Sequence, residues 1–209
     1  MPAFNLENRN TKTISDFKSR LVGGGARPNL FEVEMTDLPS GIQWDASTFS
    51  FLCKAAALPA SNVASIDIPF RGRIFKVAGD RTIDTWSVTI IQDEDFTIRN
   101  AFEQWTDLMA NMDTNLGATN PGSYMRTAAV YQLGRGSEKR SSNSSGNSSA
   151  VLKAYEFENI FPTSVSAVDL SYDTGDTIEE FTVEFAVQSW NTLPTGAGGA
   201  GAGVNLITA

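Results

Sequence analysis

The sequence predicts a mainly β domain, a barrel or sandwich, with one flanking amphipathic α-helix over about residues 95–112 and a short helical arm at the N-terminus. Three patterns lead there. In VAGDRTIDTWSVTIIQDED, from Val77 to Asp95, the side chains of Asp84, Trp86, Val88 and Ile90 alternate with those of Thr85, Ser87, Thr89 and Ile91, the period of a strand with unlike faces. In ARPNLFEVEM, Phe31, Val33 and Met35 alternate with Glu32 and Glu34. Further on the period changes: Ile98, Phe102, Trp105, Met109 and Met112 recur every four or three residues, one apolar stripe on a helix that docks on a sheet.

Taken in order, residues 1–25 read as an arm. Ile14, Phe17 and Leu21 make a short amphipathic helix, which Gly23, Gly24 and Gly25 break. The β domain spans 26–190. Strands are expected over Asn29–Thr36, Thr48–Ala55, Ile66–Val77 with a turn near Gly72, and Ile83–Gln92. Pro59 and Pro69 cannot donate to a ladder, so the connection from Ala56 to Pro69 reads as a projecting loop or a sheet edge. The acids Asp93 to Asp95 are placed to cap the helix that follows. Later strands are expected over Arg126–Leu133, Val151–Phe157, Val165–Tyr172 and Ile178–Trp190, the last two joined by a tight turn at Asp173–Asp176. Residues 134–149 form a polar, low-complexity insertion read as a flexible hairpin extension, and 191–209 a flexible tail rich in Gly and Ala.

Composition removes most chemistry. A chain of 209 residues with 41% hydrophobic content supports one domain with a full core, and it contains no histidine, the commonest general base and metal ligand. Cys53 sits in an apolar stretch and reads as a small buried hydrophobe. Asp173, Asp176, Glu179 and Glu180 lack the spacing of a calcium loop, and neither a phosphate-binding glycine loop nor a nucleophile elbow is present. The reading is therefore of a protein without catalytic residues, metal or cofactor. MPAFNLENRNTKTISDF offers no apolar leader segment, so synthesis in a cytosol and a soluble product are expected.

Formal charge is −8, unevenly spread. From Tyr155 to Trp190 there are eight acids (Glu156, Glu158, Asp169, Asp173, Asp176, Glu179, Glu180, Glu184) and no Lys or Arg. The first 26 residues instead set Arg9, Lys12, Lys18 and Arg20 against Glu7 and Asp16. Such asymmetry suits a head-to-tail contact between copies.

The blocks ARPNLFEVEM, FSFLCKAAALPAS (Phe49–Ser61) and VAGDRTIDTWSVTIIQDED, in this order and spacing, resemble the tail tube family of contractile-tailed, T-even-like bacteriophages, over roughly Arg27 to Trp190. The resemblance implies a structural virion protein. Its copies would form sixfold rings whose sheets join into a continuous barrel, and the rings would stack into the inner tube of a tail that conducts double-stranded DNA without binding it specifically. Partners would be the chain itself, a sheath, and baseplate and terminator proteins, with assembly in the host cytoplasm and no membrane anchor. A tube initiator or terminator, or a type VI secretion-like ring protein, is the alternative.

On this view the polar strand faces line the lumen: Glu32, Glu34, Thr85, Ser87, Thr89, Glu180, Thr182, Glu184 and Gln188. Carboxylates and hydroxyls repel phosphate where Lys and Arg would hold it. Contacts between rings are assigned to Arg9, Lys12, Phe17, Lys18 and Arg20 of the arm, to Leu58 and Pro59, and to Arg71 and Arg73. On the helix, Arg99, Glu103 and Asp107 are the candidates for facing the sheath.

Overall fold

The structure, a computed structural model, describes residues 13–21, 25–35, 37–134, 151–173 and 175–193. The expected insertion, apart from Gly134, and the expected tail from 194 onward lie outside the described residues, as do Arg9 and Lys12. The elements are α1 (Ile14–Arg20), β1 (Phe31–Glu34), α2 (Ala46–Leu52), β2 (Cys53–Ala56), β3 (Asn62–Phe70), β4 (Arg73–Thr82), β5 (Trp86–Ile91), α3 (Thr97–Met109), α4 (Pro121–Tyr124), β6 (Arg126–Leu133), β7 (Val151–Val165), β8 (Glu180–Ala186) and β9 (Ser189–Leu193). Antiparallel pairing runs β1-β6-β7-β8-β5-β2, with β9 added to β7, while β3 and β4 form a separate two-stranded hairpin. The path curls until β1 and β2 approach each other without pairing, so one chain makes a barrel that is not closed.

Alternation dictates the core. Val33, Trp86, Val88, Ile90, Val130, Phe157, Phe181, Val183 and Phe185 point inward and are buried. The helix stripe closes over them: Ile98, Phe102 and Trp105 are buried, Met109 packs at the margin, and Phe102 meets Trp44, Phe181 and Phe185 edge-on at 5.2–6.5 Å. Two indole N–H groups in this core find acceptors, Trp86 at Ala57 O (2.9 Å) and Trp105 at Tyr124 O (2.8 Å), while those of Trp44 and Trp190 at its margin are buried without one. Cys53 lies in the same core, its thiol pushed up to about 12 by burial, as a small hydrophobe should be.

Several expectations are corrected. Within the expected strand Thr48–Ala55, Thr48 to Leu52 belong to a helix, α2, and only Cys53–Ala56 are strand, β2. Asp45 caps α2, accepting from Ser47 N at 3.1 Å and from the Ser47 and Thr48 hydroxyls at 2.7 Å, which also holds its carboxyl below the usual range. Phe49 is thus buried while Phe51 is 87% exposed, where a strand would have put them on one face.

The acids before α3 do not cap it. Its N-cap is Phe96, at φ +53 with no side-chain hydrogen bond; in the preceding turn the Asp93 carbonyl accepts from Gln92 Nε2 and Phe96 N, and the Asp93 carboxylate accepts from Gln92 Nε2 at 3.3 Å. At the other end α3 stops at Met109, because Asn111 Oδ1 captures the N–H groups of Asp113 and Thr114, and Met112 is left exposed.

Of the two readings of the connection before Phe70, the sheet edge fits from Asn62 onward, where β3 is one strand of a two-stranded sheet. Ala57–Ser61 is the loop, and Pro69 sits in β3 opposite Ile74 on a two-stranded ribbon, where each strand has a free side.

Val165–Tyr172 is not a strand, and Asp173–Asp176 joins no hairpin. Instead β7 runs 15 residues to Val165 and bends at Asn159, φ +53, opposite the break at Val187–Gln188 that divides the expected Ile178–Trp190 strand into β8 and β9. The bend lets one ribbon serve two halves. Up to Ile160 β7 pairs with β6 and β9, from Phe161 on with β8, and the described residues of 166–179 lead back to β8 without helix or strand.

Candidate functional site

The barrel has two outward faces, and the predicted polar residues divide between them. Trp86 stacks on Phe157 with ring centroids 4.5 Å apart, so the β5–β8 half and the β6–β7 half cover a common core and their outer faces look away from each other. On the first face, Glu34, Ala129 and Glu156 follow one another across β1, β6 and β7, and Glu32 is opposite Tyr131. Tyr131 Oη donates to Glu34 at 2.8 Å. Burial first, then that hydrogen bond and the charges of Glu34, Glu32 and Glu156, push the Tyr131 phenol up to about 12. One register step along, Glu158 accepts from Ser189 Oγ and Asn191 Nδ2, both at 2.9 Å.

On the second face, Ser87 is opposite Glu184, which is opposite Ser164, and the Thr89 and Thr182 hydroxyls meet at 3.2 Å. Glu180 is paired with Lys54 at 2.5 Å. Thr85 is exposed just before β5, and Gln188 is exposed at the β8–β9 break. Glu32 and Glu34 are thus brought together with Tyr131, Glu156 and Glu158, and not with Ser87, Thr89, Glu180, Thr182 and Glu184. The sequence reading missed the first three as partners. The alternation of Tyr155 and Phe157 with Glu156 and Glu158 was the available signal.

The β3–β4 hairpin is amphipathic, and among the described residues nothing covers its apolar face. Ile66 pairs with Val77, Ile68 with Phe75 and Phe70 with Arg73, which gathers five apolar side chains on one face at 39–66% exposure. The reverse face carries the Asp67–Lys76 ion pair at 2.7 Å. Its two-residue turn, Arg71 at φ +47 and Gly72 at φ +82, is the kind that matches strand twist, and Arg71 folds back over the Phe70 ring. At the root, Asn62 bonds Asp84 at 2.6 Å and Arg81 covers the Trp190 ring at 4.9 Å.

The other predicted contact residues scatter. Phe17, Lys18 and Arg20 are exposed on α1, which has a Thr13–Asp16 capping box and no buried residue. Leu58 is exposed and Pro59 half-buried beside Trp86. On α3, Arg99 is held in the fold, bonded to Glu103 at 2.9 Å, donating to Ser166 O and lying 5.5 Å over Phe181, whereas Glu103 and Asp107 are exposed. The acidic C-terminal region also splits: Glu156 and Glu158 lie on the first face, Glu180 and Glu184 on the second, and Asp169, Asp173, Asp176 and Glu179 in the 166–179 connection. That connection leaves Leu170, Tyr172 and Ile178 exposed beside an open groove. Among the described residues no group of three His, Cys, Asp or Glu side chains is placed to hold a metal ion.

A polar barrel exterior and a bare apolar ribbon describe surfaces for assembly. Comparison with known proteins agrees. The family model for phage tail tube proteins matches residues 26–193. The tail tube protein gp19 of Enterobacteria phage T4 is 34% identical over 168 residues, 80% of this chain and 92% of the T4 protein, and the tail tube protein of Serratia phage KSP90 is 20% identical over 175 residues, 82% of this chain and 92% of its own length. Among solved structures, a chain of the anti-feeding prophage baseplate shares the fold at TM-score 0.58 and 11% identity, covering 83% of this chain and 98% of that one. A chain of the sheath-tube complex of an extracellular contractile injection system does so at 0.54 and 13%, covering 88% and 100%. The chain belongs to the phage tail tube protein family.

Proposed function

We propose that copies of this chain form sixfold rings that stack into the inner tube of a contractile phage tail, a rigid conduit through which double-stranded DNA leaves the virion. The observation that carries this reading is the bare apolar face of β3–β4. A lone two-stranded ribbon is marginal in water, and five apolar side chains left in solvent oppose it further. A second copy of the chain is the cover that a self-assembling family supplies. The hairpin, with Arg71 and Arg73 at its tip, and the arm with Phe17, Lys18 and Arg20 reach toward the next ring, whose 166–179 connection presents acids of opposite sign.

Polar strand faces carrying carboxylates and hydroxyls line the bore and keep it hydrated without gripping phosphate. The α3 face with Glu103 and Asp107 is turned outward to the sheath; Arg99 serves as its brace. The tail of the virion is the site of action, and the role is mechanical.

Negative-stain microscopy of the purified protein at rising concentration tests this. The expected outcome is single rings that lengthen into hollow tubes. Protein that stops at single rings would replace the tube reading by that of an initiator or terminator, and a protein that stays solitary would end both.

A further inference from the structure

We propose that Arg81, seated on the Trp190 ring, is a positioning residue for assembly: it fixes the angle at which the β3–β4 hairpin leaves the barrel, so that the free chain already holds the hairpin in the pose a neighbouring copy receives. This rests on the tube reading above and concerns the chain before it meets a copy.

Strand register is the first ground. Between the pairs Val63–Arg81 and Ser65–Ala78, β3 has one residue, Ala64, and β4 has two, Gly79 and Asp80, so β4 carries a bulge at the root of the hairpin. The two-residue period of a strand would have put Arg81 on the face of Phe75 and Val77. The bulge sets it opposite Val63 instead, on the face of Asp67 and Lys76, which takes the guanidinium off the apolar side of the ribbon and aims it at the barrel. Gly79 permits this close turn, because a Cβ there would come within 3.1 Å of Ile66 Cγ1 and 3.2 Å of Ala64 O.

What the guanidinium meets is the second ground. It lies 4.9 Å from the centroid of the Trp190 ring, and among the described residues no carboxylate forms an ion pair with it. The ring is a fixed platform. Trp190 is opposite Phe157 in the β7–β9 ladder, packs on the core and meets Tyr155 edge-on at 5.8 Å, and Phe157 is itself completely buried against Trp86.

The other ties at the root act elsewhere. Trp86 Nε1 donates to Ala57 O at 2.9 Å and Asn62 Nδ2 to Asp84 at 2.6 Å, both along the line where the two connections enter the barrel. Such a line is an axis about which a ribbon tilts. Arg81 reaches off it to another strand, β9, and so braces the tilt. A chain that had to find this pose while binding would lose affinity in proportion to the fraction of copies not already holding it.

The experiment compares the full chain with its Arg81→Gln and Arg81→Lys variants. Arg81 is exposed, so its replacement leaves the core intact. Nitroxide labels on cysteines introduced by Lys76→Cys in the hairpin and Thr127→Cys in β6 report the distance from ribbon to barrel in unassembled protein by electron double resonance, while Cys53, buried with its thiol raised, stays unlabelled. Without labels, the same chains are sedimented to find the concentration at which tubes form. The expected result is a narrow distance distribution in the parent, a broad one in Arg81→Gln and an intermediate one in Arg81→Lys, which keeps the cation. The concentration needed for tubes should rise roughly 2- to 30-fold in Arg81→Gln and less in Arg81→Lys, with the urea midpoint of the free protein unmoved. An unchanged distance distribution would overturn the proposal, as would tubes at lower concentration, which would make the contact a brake, or a fall in the urea midpoint large enough to account for the whole assembly defect. Arg81→Met, which keeps the stem without the charge, takes the place of Arg81→Gln should that variant not fold. Failure of the unmodified chain to form tubes would instead sink the reading beneath, and the distances measured in free protein would still decide whether Arg81 sets the pose.

Discussion

Phe185 in β8 and Phe75 in β4 sit in strands of similar pattern, Phe185 in line with Phe181 and Val183, Phe75 in line with Val77. Phe185 is completely buried against Trp86, Phe102 and Trp105, while Phe75 is 64% exposed. Alternation makes an apolar face in both. What differs is the second layer: β8 has α3 and the facing half of the barrel to cover it, and the hairpin has neither. The barrel is therefore a structure one chain completes, and the hairpin a structure that a chain begins and another finishes.

The largest effect should come from the region that is complete. Phe102 touches Trp44, Phe49, Trp105, Phe181 and Phe185, and no side chain on hand can fill its space, so Phe102→Ala should cost about 3–5 kcal/mol in urea unfolding of the unassembled protein. A cost under about 1 kcal/mol would show that α3 does not close the core.

The hairpin should respond the other way round. Phe75→Ser removes burial worth roughly 1.5–3 kcal/mol only where a neighbour provides it. The unfolding midpoint of the free protein should hardly move, while the concentration needed for tubes rises about 10- to 100-fold. Sedimentation of assembled material against protein concentration reads this directly. A free protein that unfolds more easily with no change in assembly would reverse the contrast and make the hairpin part of the barrel's own stability.

The same contrast explains what the sequence could disclose. β5, β6 and α3 were legible because one chain covers them and their periods are unmixed: β6 begins and ends at Arg126 and Leu133 as expected. α2 was not, since Phe49 and Phe51 imitate a strand and the deciding interaction is the Asp45 cap, three residues upstream of the expected strand. Separate short strands were expected over Val151–Phe157 and Val165–Tyr172 where β7 is one long bent one. Pro162 is tolerated because from Phe161 on β7 pairs only with β8, leaving its other side free of ladder bonds. The acidic faces were legible singly, residue by residue. Their division into two faces was not, because β7 belongs to both and only its bend at Asn159 turns them apart.

A smaller and more local effect sharpens the distinction between those faces. Tyr131 holds Glu34 by a hydrogen bond at 2.8 Å, so Tyr131→Phe should cost about 0.5–1.5 kcal/mol near neutral pH. Its pH dependence is the more telling part. A free phenol titrates near 10, and in the fold burial, the bond to Glu34 and the surrounding glutamates raise it to about 12. A group whose pKa is raised by folding contributes stability that is whole below its unfolded value and vanishes as pH climbs through its folded value, so the contribution fades between about pH 10 and about 12. Urea unfolding of the natural and Tyr131→Phe proteins, compared at neutral pH and again near pH 11, should therefore show the difference between them shrinking, since the other titrating groups are common to both. A difference that stayed constant would mean that Tyr131 does not sense the carboxylates gathered around it on the first face.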